Sequence, residues 1–463
     1  MRLDDTIAAV STPRGKGGVA MLRVSGAEAV QICEKVFVPK NGKKLSDLSV
    51  RTAIYGAFFA TEPDGSRVSV DDGIATVFHS PASFTGEDTV ELCCHGGILL
   101  TETVLSALIA AGARLAEAGE FTRRAFLNGK MGLSAAEALG NLLEAQTHEQ
   151  MALAHAGTGG RVEAKCREIY EALRDVLASI YARIDYPDED LADLSREEMI
   201  DALSGCVRML EALAATYRTG HAVAEGIATV ICGKPNVGKS SLYNRIVGRE
   251  AAIVTDVKGT TRDVLSETAA LGRVTLRLYD TAGLHETSDP VEQIGIDRAR
   301  RTMEDAELIF AVFDGTVEPD EEDLTLVNAL QNSAATVVAV INKADLNCQS
   351  KAFYRAHFTH TVLLSAQNGN GMDELIRLVE EQFTAGEIDV RRDAVLTNAR
   401  QNGAALSALT SLRHAVESLE VGLPTDVCCT DVEQAMEAIS ELDGRAVSED
   451  IVSQIFARFC VGK

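Results

Sequence analysis

A chain of 463 residues is too long for one compact core and predicts about two to four domains, and an apolar fraction of 46% predicts that they are globular. A formal net charge of −24 excludes a broad electrostatic grip on nucleic acid by this chain alone, so any RNA contact is local or shared with a basic partner. Ten cysteines without a CxxC pair, no leader-like start and no apolar run near the roughly 20 residues that span a bilayer predict a reduced, cytoplasmic protein without zinc, disulfide framework or membrane segment.

From Thr6 to about residue 118 short strands and helices alternate, with turn signals at 12–18 (TPRGKGG) and 63–65 (PDG), which predicts a small α/β domain. Gly15, Gly17 and Gly18 look like a dinucleotide fingerprint, but they precede the strand-like stretch 19–24 and open no helix, so that reading fails. From 121 to about 219 the pattern turns helical. ALRDVLASIYARI at 172–184 repeats apolar residues at three and four before an acidic break, as a packed bundle requires. After Asp393 the chain is helical again: 396–419 is long, Ala-rich and amphipathic, and Ser448 followed by Glu449 and Asp450 starts a terminal helix that delivers FCVGK. Helical segments on both sides of a complete α/β domain predict one discontinuous bundle into which that domain is inserted. The predicted boundaries are 1–118, 119–222, 223–383 and 384–463.

Inside the inserted domain, residues 233–240 read GKPNVGKS between the apolar stretch 227–232 and a helical pattern, the setting of a phosphate-binding loop. Its glycines turn backbone N–H groups onto phosphate oxygens, Lys239 reaches the β/γ-phosphates and the Ser240 hydroxyl ligates magnesium. Asn236, Val237, Gly238 and Ser241 complete the cradle. DTAG (Asp280, Thr281, Ala282, Gly283) follows the strand 274–279 and brings a carboxylate to the metal and a glycine amide to the γ-phosphate. NKAD at 342–345 follows the strand 337–341, where Asn342 and Lys343 lead to Asp345. That carboxylate accepts both guanine N1–H and the 2-amino hydrogen, a pairing adenine cannot offer. Ser365 and Ala366, after 362–364, resemble the short backbone contact to guanine O6 of the translation-factor-like GTPases. Singly, each motif is an ordinary turn; in this order and spacing they predict a doubly wound P-loop GTPase domain.

Leu284 follows DTAG where small regulatory GTPases carry a water-orienting glutamine, so attack on the γ-phosphate is organised differently. Asn236 and the segment 255–263, TDVKGTTRD, suggest a monovalent cation gathered against the phosphates in place of an arginine finger. Asn236 as a simple loop cap stays open beside that reading.

End to end, the chain resembles the bacterial and organellar tRNA wobble-uridine modification GTPases, the MnmE (TrmE) family. The resemblance runs through DTIAAVSTPRGKGGVAMLRVSG, SFTGEDTVEL with HGG, GEFTRRAFLNGKMGLSAAEA, VTDVKGTTRDV, DTAGLHETSDPVEQIGI and the terminal CVGK. It implies an N-terminal α/β domain that binds 5-formyl-tetrahydrofolate or a related one-carbon folate and dimerises, a discontinuous helical domain, and a potassium-stimulated GTPase domain that pairs across its nucleotide face. It also implies a homodimer joined to an FAD-containing MnmG-type partner as a heterotetramer. Together the two install carboxymethylaminomethyl or aminomethyl at carbon 5 of the tRNA wobble uridine.

By the same resemblance Arg23, Glu91, Lys130 and Lys463 surround the folate. Read alone, Arg23 is a paired structural cation, Glu91 and Lys130 are solvated and Lys463 is a frayed end. Potassium falls to Asn236, Thr255, Val257 and Thr260, and magnesium to Ser240 and Thr261, with Asp256, Lys258 and Gly259 in the same nucleotide-binding loop. Glu292 falls where the family has its catalytic acid; read alone it is a solvated residue of a switch helix. His285 stands where many relatives carry arginine, and nothing in the sequence decides whether Cys460 is reactive. Two other readings stand beside this one. One is a ribosome-assembly switch in which hydrolysis only times residence on RNA, although such proteins usually append basic modules. The other is a folate-dependent one-carbon enzyme regulated by GTP. Whether the folate donates its carbon, and whether ammonia or glycine supplies the amine, stays open.

Overall fold

The computed structural model describes residues 5–62, 64–185, 194–249, 266–279, 306–384, 388–459 and 461–462. They divide into two compact units, Met1–Gly140 with Asp443–Lys463, and Asn141–Leu442. Among the described residues no helix is long and apolar enough to cross a membrane.

In the first unit, strands β1 (Ile7–Val10), β2 (Ala20–Ser25), β3 (Phe37–Pro39), β4 (Thr52–Thr61), β5 (Arg67–Phe78), β6 (Thr89–Cys94) and β7 (Arg114–Leu115) form one sheet in the order β3-β4-β5-β6-β2-β1-β7. The TPRGKGG segment connects β1 to β2, and no helix starts on it. Not all the strands are short. β4 and β5 run for 10 and 12 residues, because runs rich in β-branched and aromatic side chains meet at a single turn. Side-chain alternation sorts the two faces. Leu22, Val24, Ala75, Val77, Val90 and Leu92 are buried with residues of the helices Ala29–Val36 and Ile98–Ala110. Ala9, Arg23 and Glu91, in register across β1, β2 and β6, occupy the other face.

The terminal helix Glu449–Ala457 begins as the sequence predicts, with the Ser448 hydroxyl accepting from Ile451 N–H and two acidic residues in its first turn. Its Val452 and Phe456, with Phe459 beyond it, pack on Leu133 and Ala136. That apolar match puts 119–140 and 443–463, read from the sequence as bundle segments, in the same unit as the sheet. The chain end is docked there as well: Val461 bridges to Ala118, and Ser11 Oγ donates to Gly462 O at 3.0 Å. Gly462 has φ +101°, and a Cβ would lie 2.4 Å from Val10 O, so glycine is required where the tail turns onto β1.

In the second unit, the helices Arg161–Asp185, Arg196–Ala215, Ala399–Glu420 and Cys429–Asp443 share one core. Val162, Cys166, Ile169, Leu173, Val176 and Ile180 on the first, and Met199, Leu203, Cys206, Leu210 and Leu213 on the second, alternate steps of four and three. This is the seam of helices packed nearly parallel or antiparallel. Two of these helices precede the nucleotide-type sheet and two follow it, so the bundle is discontinuous and the sheet domain is inserted.

That sheet comprises β8 (Ile227–Cys232), β9 (Ser266–Leu271), β10 (Val274–Tyr279), β11 (Leu308–Asp314), β12 (Thr336–Asn342) and β13 (His360–Leu363) in the order β13-β12-β11-β8-β10-β9. Its neighbouring strands run parallel, apart from the antiparallel pair β9 and β10. β8 is buried along its whole length, as a strand covered on both faces must be. The chain departs from β8 in both directions across the sheet, so its carboxyl end is the switch point where such folds open a crevice.

Candidate nucleotide-binding site

The loop after β8 leads directly into the helix Lys239–Arg249. Gly233, Asn236 and Gly238 take φ of 142°, 65° and 105°, bending the loop inward. At Gly238 a Cβ would also lie 2.0 Å from Asn342 Nδ2, so this position tolerates only glycine. Lys239 Nζ donates to Gly233 O and Lys234 O, both at 2.8 Å, and burial pulls its pKa below the usual lysine range. A half-buried ammonium held, among the described residues, by neutral carbonyls alone is a receptor for anionic oxygen. Lys234 Nζ reaches Asp320 at 2.5 Å and Asp323 at 2.8 Å, tying the loop to the capping box of the helix Glu321–Leu330. Ser240 and Ser241 are exposed at the helix start. Asn236 is exposed too, and its side chain makes no hydrogen bond to a described residue.

The base end lies at the ends of β12 and β13. Asn342 Nδ2 donates to Val237 O at 2.7 Å, and its Oδ1 accepts Ala366 N–H at 2.9 Å. One carboxamide thereby joins the phosphate loop to the turn at 365–366. The Ala366 amide expected on guanine O6 is engaged by Asn342, so O6 has to share it. Buried Ser365 closes its turn with Asn370 O and Gly369 N–H. Lys343 sits at φ 61° with Nζ 2.5 Å from Asp314 Oδ2, and Asp345 is exposed, as a carboxylate that reads a base must be. Arg245, on the helix Lys239–Arg249, donates to Ala366 O at 3.2 Å and also to Gln367 O. A cavity of about 630 Å³ lies there, lined by Ser241, Asn244, Arg245, Gly248, Ala366 and Gln367.

Residues 236–241 therefore come together with Asn342, Lys343, Asp345, Ser365 and Ala366. Thr255, Asp256, Val257, Lys258, Gly259, Thr260, Thr261, Asp280, Thr281, Ala282, Gly283, Leu284, His285 and Glu292 lie outside the described residues. Sequence reasoning missed Lys234, Arg245 and Asp314, which hold the loops in place. Asp314 had a signal: it is a carboxylate closing the apolar run of β11 at the carboxyl edge of the sheet, where ligands bind.

In the first unit, Arg23 donates from Nε and NH2 to Glu91 Oε1 at 3.1 and 2.7 Å. Its guanidinium lies 5.3 and 5.7 Å from the ring centroids of Phe84 and Phe121. Lys130 Nζ donates to Pro81 O at 2.8 Å. Phe84 and Pro81 belong to the connection between β5 and β6, so Arg23, Glu91 and Lys130 converge on one loop. Cys460 and Lys463 lie outside the described residues.

A doubly wound sheet whose crevice joins a phosphate loop to an Asn-Lys-x-Asp loop defines a GTP-binding protein of the P-loop class. The family description "GTP-binding protein TrmE N-terminus" matches residues 6–130, and "MnmE helical domain" matches residues 133–460. A Symbiobacterium thermophilum protein named tRNA modification GTPase MnmE is 42% identical over 99% of this chain and 100% of its own length. The Acetivibrio thermocellus protein of the same name is 36% identical over 100% of both chains. A crystal structure of Aquifex aeolicus Era is 26% identical over 40% of this chain and 65% of that one, with a TM-score of 0.28, too slight a fit to bear on the fold. The chain belongs to the MnmE family of tRNA modification GTPases.

Proposed function

We propose that the chain is a potassium-stimulated GTP hydrolase that, with an FAD-containing MnmG-type partner, installs carboxymethylaminomethyl or aminomethyl at carbon 5 of the tRNA wobble uridine. The Asn342 bridge between the phosphate and base loops carries the nucleotide half of this reading; membership of the family carries the tRNA half. Lys239 exchanges two loop carbonyls for β/γ-phosphate oxygens, and the backbone N–H groups around it complete the cradle. Asp345 accepts guanine N1–H and the 2-amino hydrogen, while Ala366 N–H is shared with O6.

Magnesium fits Ser240, exposed where the helix begins, with Thr261 as its second protein ligand and Asp280 beside it. Potassium fits Asn236, whose exposed amide is uncommitted among the described residues, with Thr255, Val257 and Thr260. Held there, the two cations would supply the charge that an arginine finger brings elsewhere. Glu292 orders the attacking water where Leu284 replaces glutamine. A 5-formyl-tetrahydrofolate fits Arg23, Glu91, Lys130 and Lys463: Arg23 uses one oxygen of Glu91, which leaves the other for N–H donors of a pterin-type ring. Lys130 and Lys463 suit its anionic tail. We read the protein as a cytoplasmic homodimer, joined to its partner as a heterotetramer.

The deciding experiment is nucleoside mass spectrometry of tRNA. Deleting the gene is expected to remove the C5-modified wobble uridines and expressing this chain to restore them. Intact wobble nucleosides with defective ribosomal subunits would favour the ribosome-assembly switch instead. Potassium is also expected to raise the GTP hydrolysis rate about tenfold or more over sodium at matched ionic strength, because a cation of fitting radius neutralises charge between the β- and γ-phosphates in the transition state. Phosphate release measured in the two salts checks this, and equal rates refute the Asn236 site.

A further inference from the structure

We propose that Asp314 is a positioning residue for guanine recognition: it fixes Lys343 and, through it, the loop 342–345, a role that rests on reading that loop as guanine-selective. Asp314 and Asn342 are register partners at the ends of β11 and β12, so the carboxylate leaves the sheet where the base loop begins. Its Oδ2 holds the Lys343 ammonium at 2.5 Å, while Oδ1 accepts the N–H of Thr316 at 2.9 Å and its hydroxyl at 2.6 Å. The Asp314 side chain is 16% exposed and that of Lys343 35%, so solvent screens this pair less than an open surface pair.

Backbone bonds lace the same two loops together. Gly315 N–H donates to Asn342 O at 3.0 Å, and Gln349 N–H donates to Gly315 O at 2.8 Å. Between these ties Lys343 holds φ 61°, a left-handed conformation that a lysine keeps only when its surroundings enforce it. The Asp314 carboxylate supplies that enforcement at the far end of the side chain. Asn342 is committed on one side to Val237 and Ala366, and exposed Asp345 lies two residues beyond Lys343. Fixing Lys343 therefore fixes the offset between the bridging amide and the carboxylate that reads the base edge. Released from Asp314, Lys343 relaxes and Asp345 loses its aim. Asp314 itself never touches the nucleotide.

Asp314→Asn keeps an acceptor for Thr316 and removes the charge that holds Lys343. In the full-length protein this variant is expected to weaken GDP about tenfold, the scale of one charge-assisted hydrogen bond. IDP, whose hypoxanthine lacks the 2-amino group, should weaken less, so GDP/IDP discrimination shrinks. In a double-mutant cycle, Asp314→Asn combined with Lys343→Met is expected to lose no more than Lys343→Met alone. An unchanged GDP/IDP ratio, or additive losses, overturns the proposal, because a merely structural carboxylate would weaken both nucleotides alike. Should Asp314→Asn fail to fold, Lys343→Met carries the test: a reduced GDP/IDP ratio supports the role and an unchanged ratio overturns it. Asp345→Asn is the separate control. Its failure to change base preference would remove the base-loop reading itself, whatever Asp314 does.

Discussion

Asp345→Asn is expected to invert base preference, weakening GTP by about 10²–10⁴-fold and admitting xanthosine triphosphate. On the proposed reading the carboxylate accepts two hydrogen bonds from guanine; the amide weakens one by removing its charge and replaces the other with opposed donors, each change worth roughly 1.5–3 kcal/mol, and together they set that range. An asparagine keeps one acceptor for N1–H and turns a donor towards the position of the amino group, which suits the carbonyl of xanthine. The exposed position of Asp345 leaves the substitution free of a folding cost, so the change appears in binding and not in stability. Titrating the variant with both triphosphates measures it. A retained preference for GTP would mean that the loop after β12 does not read the base.

Removing residues 460–463 is expected to abolish wobble-uridine modification while GTP hydrolysis by the chain alone stays within about twofold, because the residues read as its nucleotide site all lie between 233 and 366. The deletion takes away the Val461 bridge to Ala118 and the bond from Ser11 to Gly462, together with the charge of Lys463. The terminal helix survives, because Val452, Phe456 and Phe459 keep their packing on Leu133 and Ala136. The phosphate and base loops belong to the other unit. Nucleoside mass spectrometry of tRNA from the truncated strain, paired with phosphate release by the purified protein, separates the two effects. Normal modification would return the tail to the status of an ordinary chain end.

The strands before the phosphate and base loops were legible because β8 and most of β12 are buried and so read as unbroken apolar runs. The second half of the helix Arg161–Asp185 was legible for the complementary reason, the three-and-four spacing of 172–184. Such a stripe says that a helix has a buried face and not what covers it. Hence the allegiance of 119–140 and of the terminal helix to the first unit was hidden until Phe456 and Phe459 met Leu133 and Ala136. Pairings across the chain were hidden too. Arg23 and Glu91 are 68 residues apart, and only the register of β2 with β6 sets them side by side. The phosphate loop was legible as a motif, but the diversion of the Ala366 amide to Asn342 was not, since it depends on how β12 and β13 end beside each other.

The two bonds of Asn342 also bear on how the protein tells a whole nucleotide from its pieces. Its carboxamide touches the carbonyl just before Gly238 and the amide of Ala366, so on the proposed reading of the two loops order gained at one end of the crevice would be transmitted to the other. Guanosine, or pyrophosphate, has to organise both loops to use one of them. An intact nucleotide organises them once and occupies both, so its second end binds at a high effective concentration in a crevice already set. Preference for the complete ligand then arises from connectivity within the protein as much as from any single contact with the ligand, and losing either end of the ligand loosens the hold on what remains.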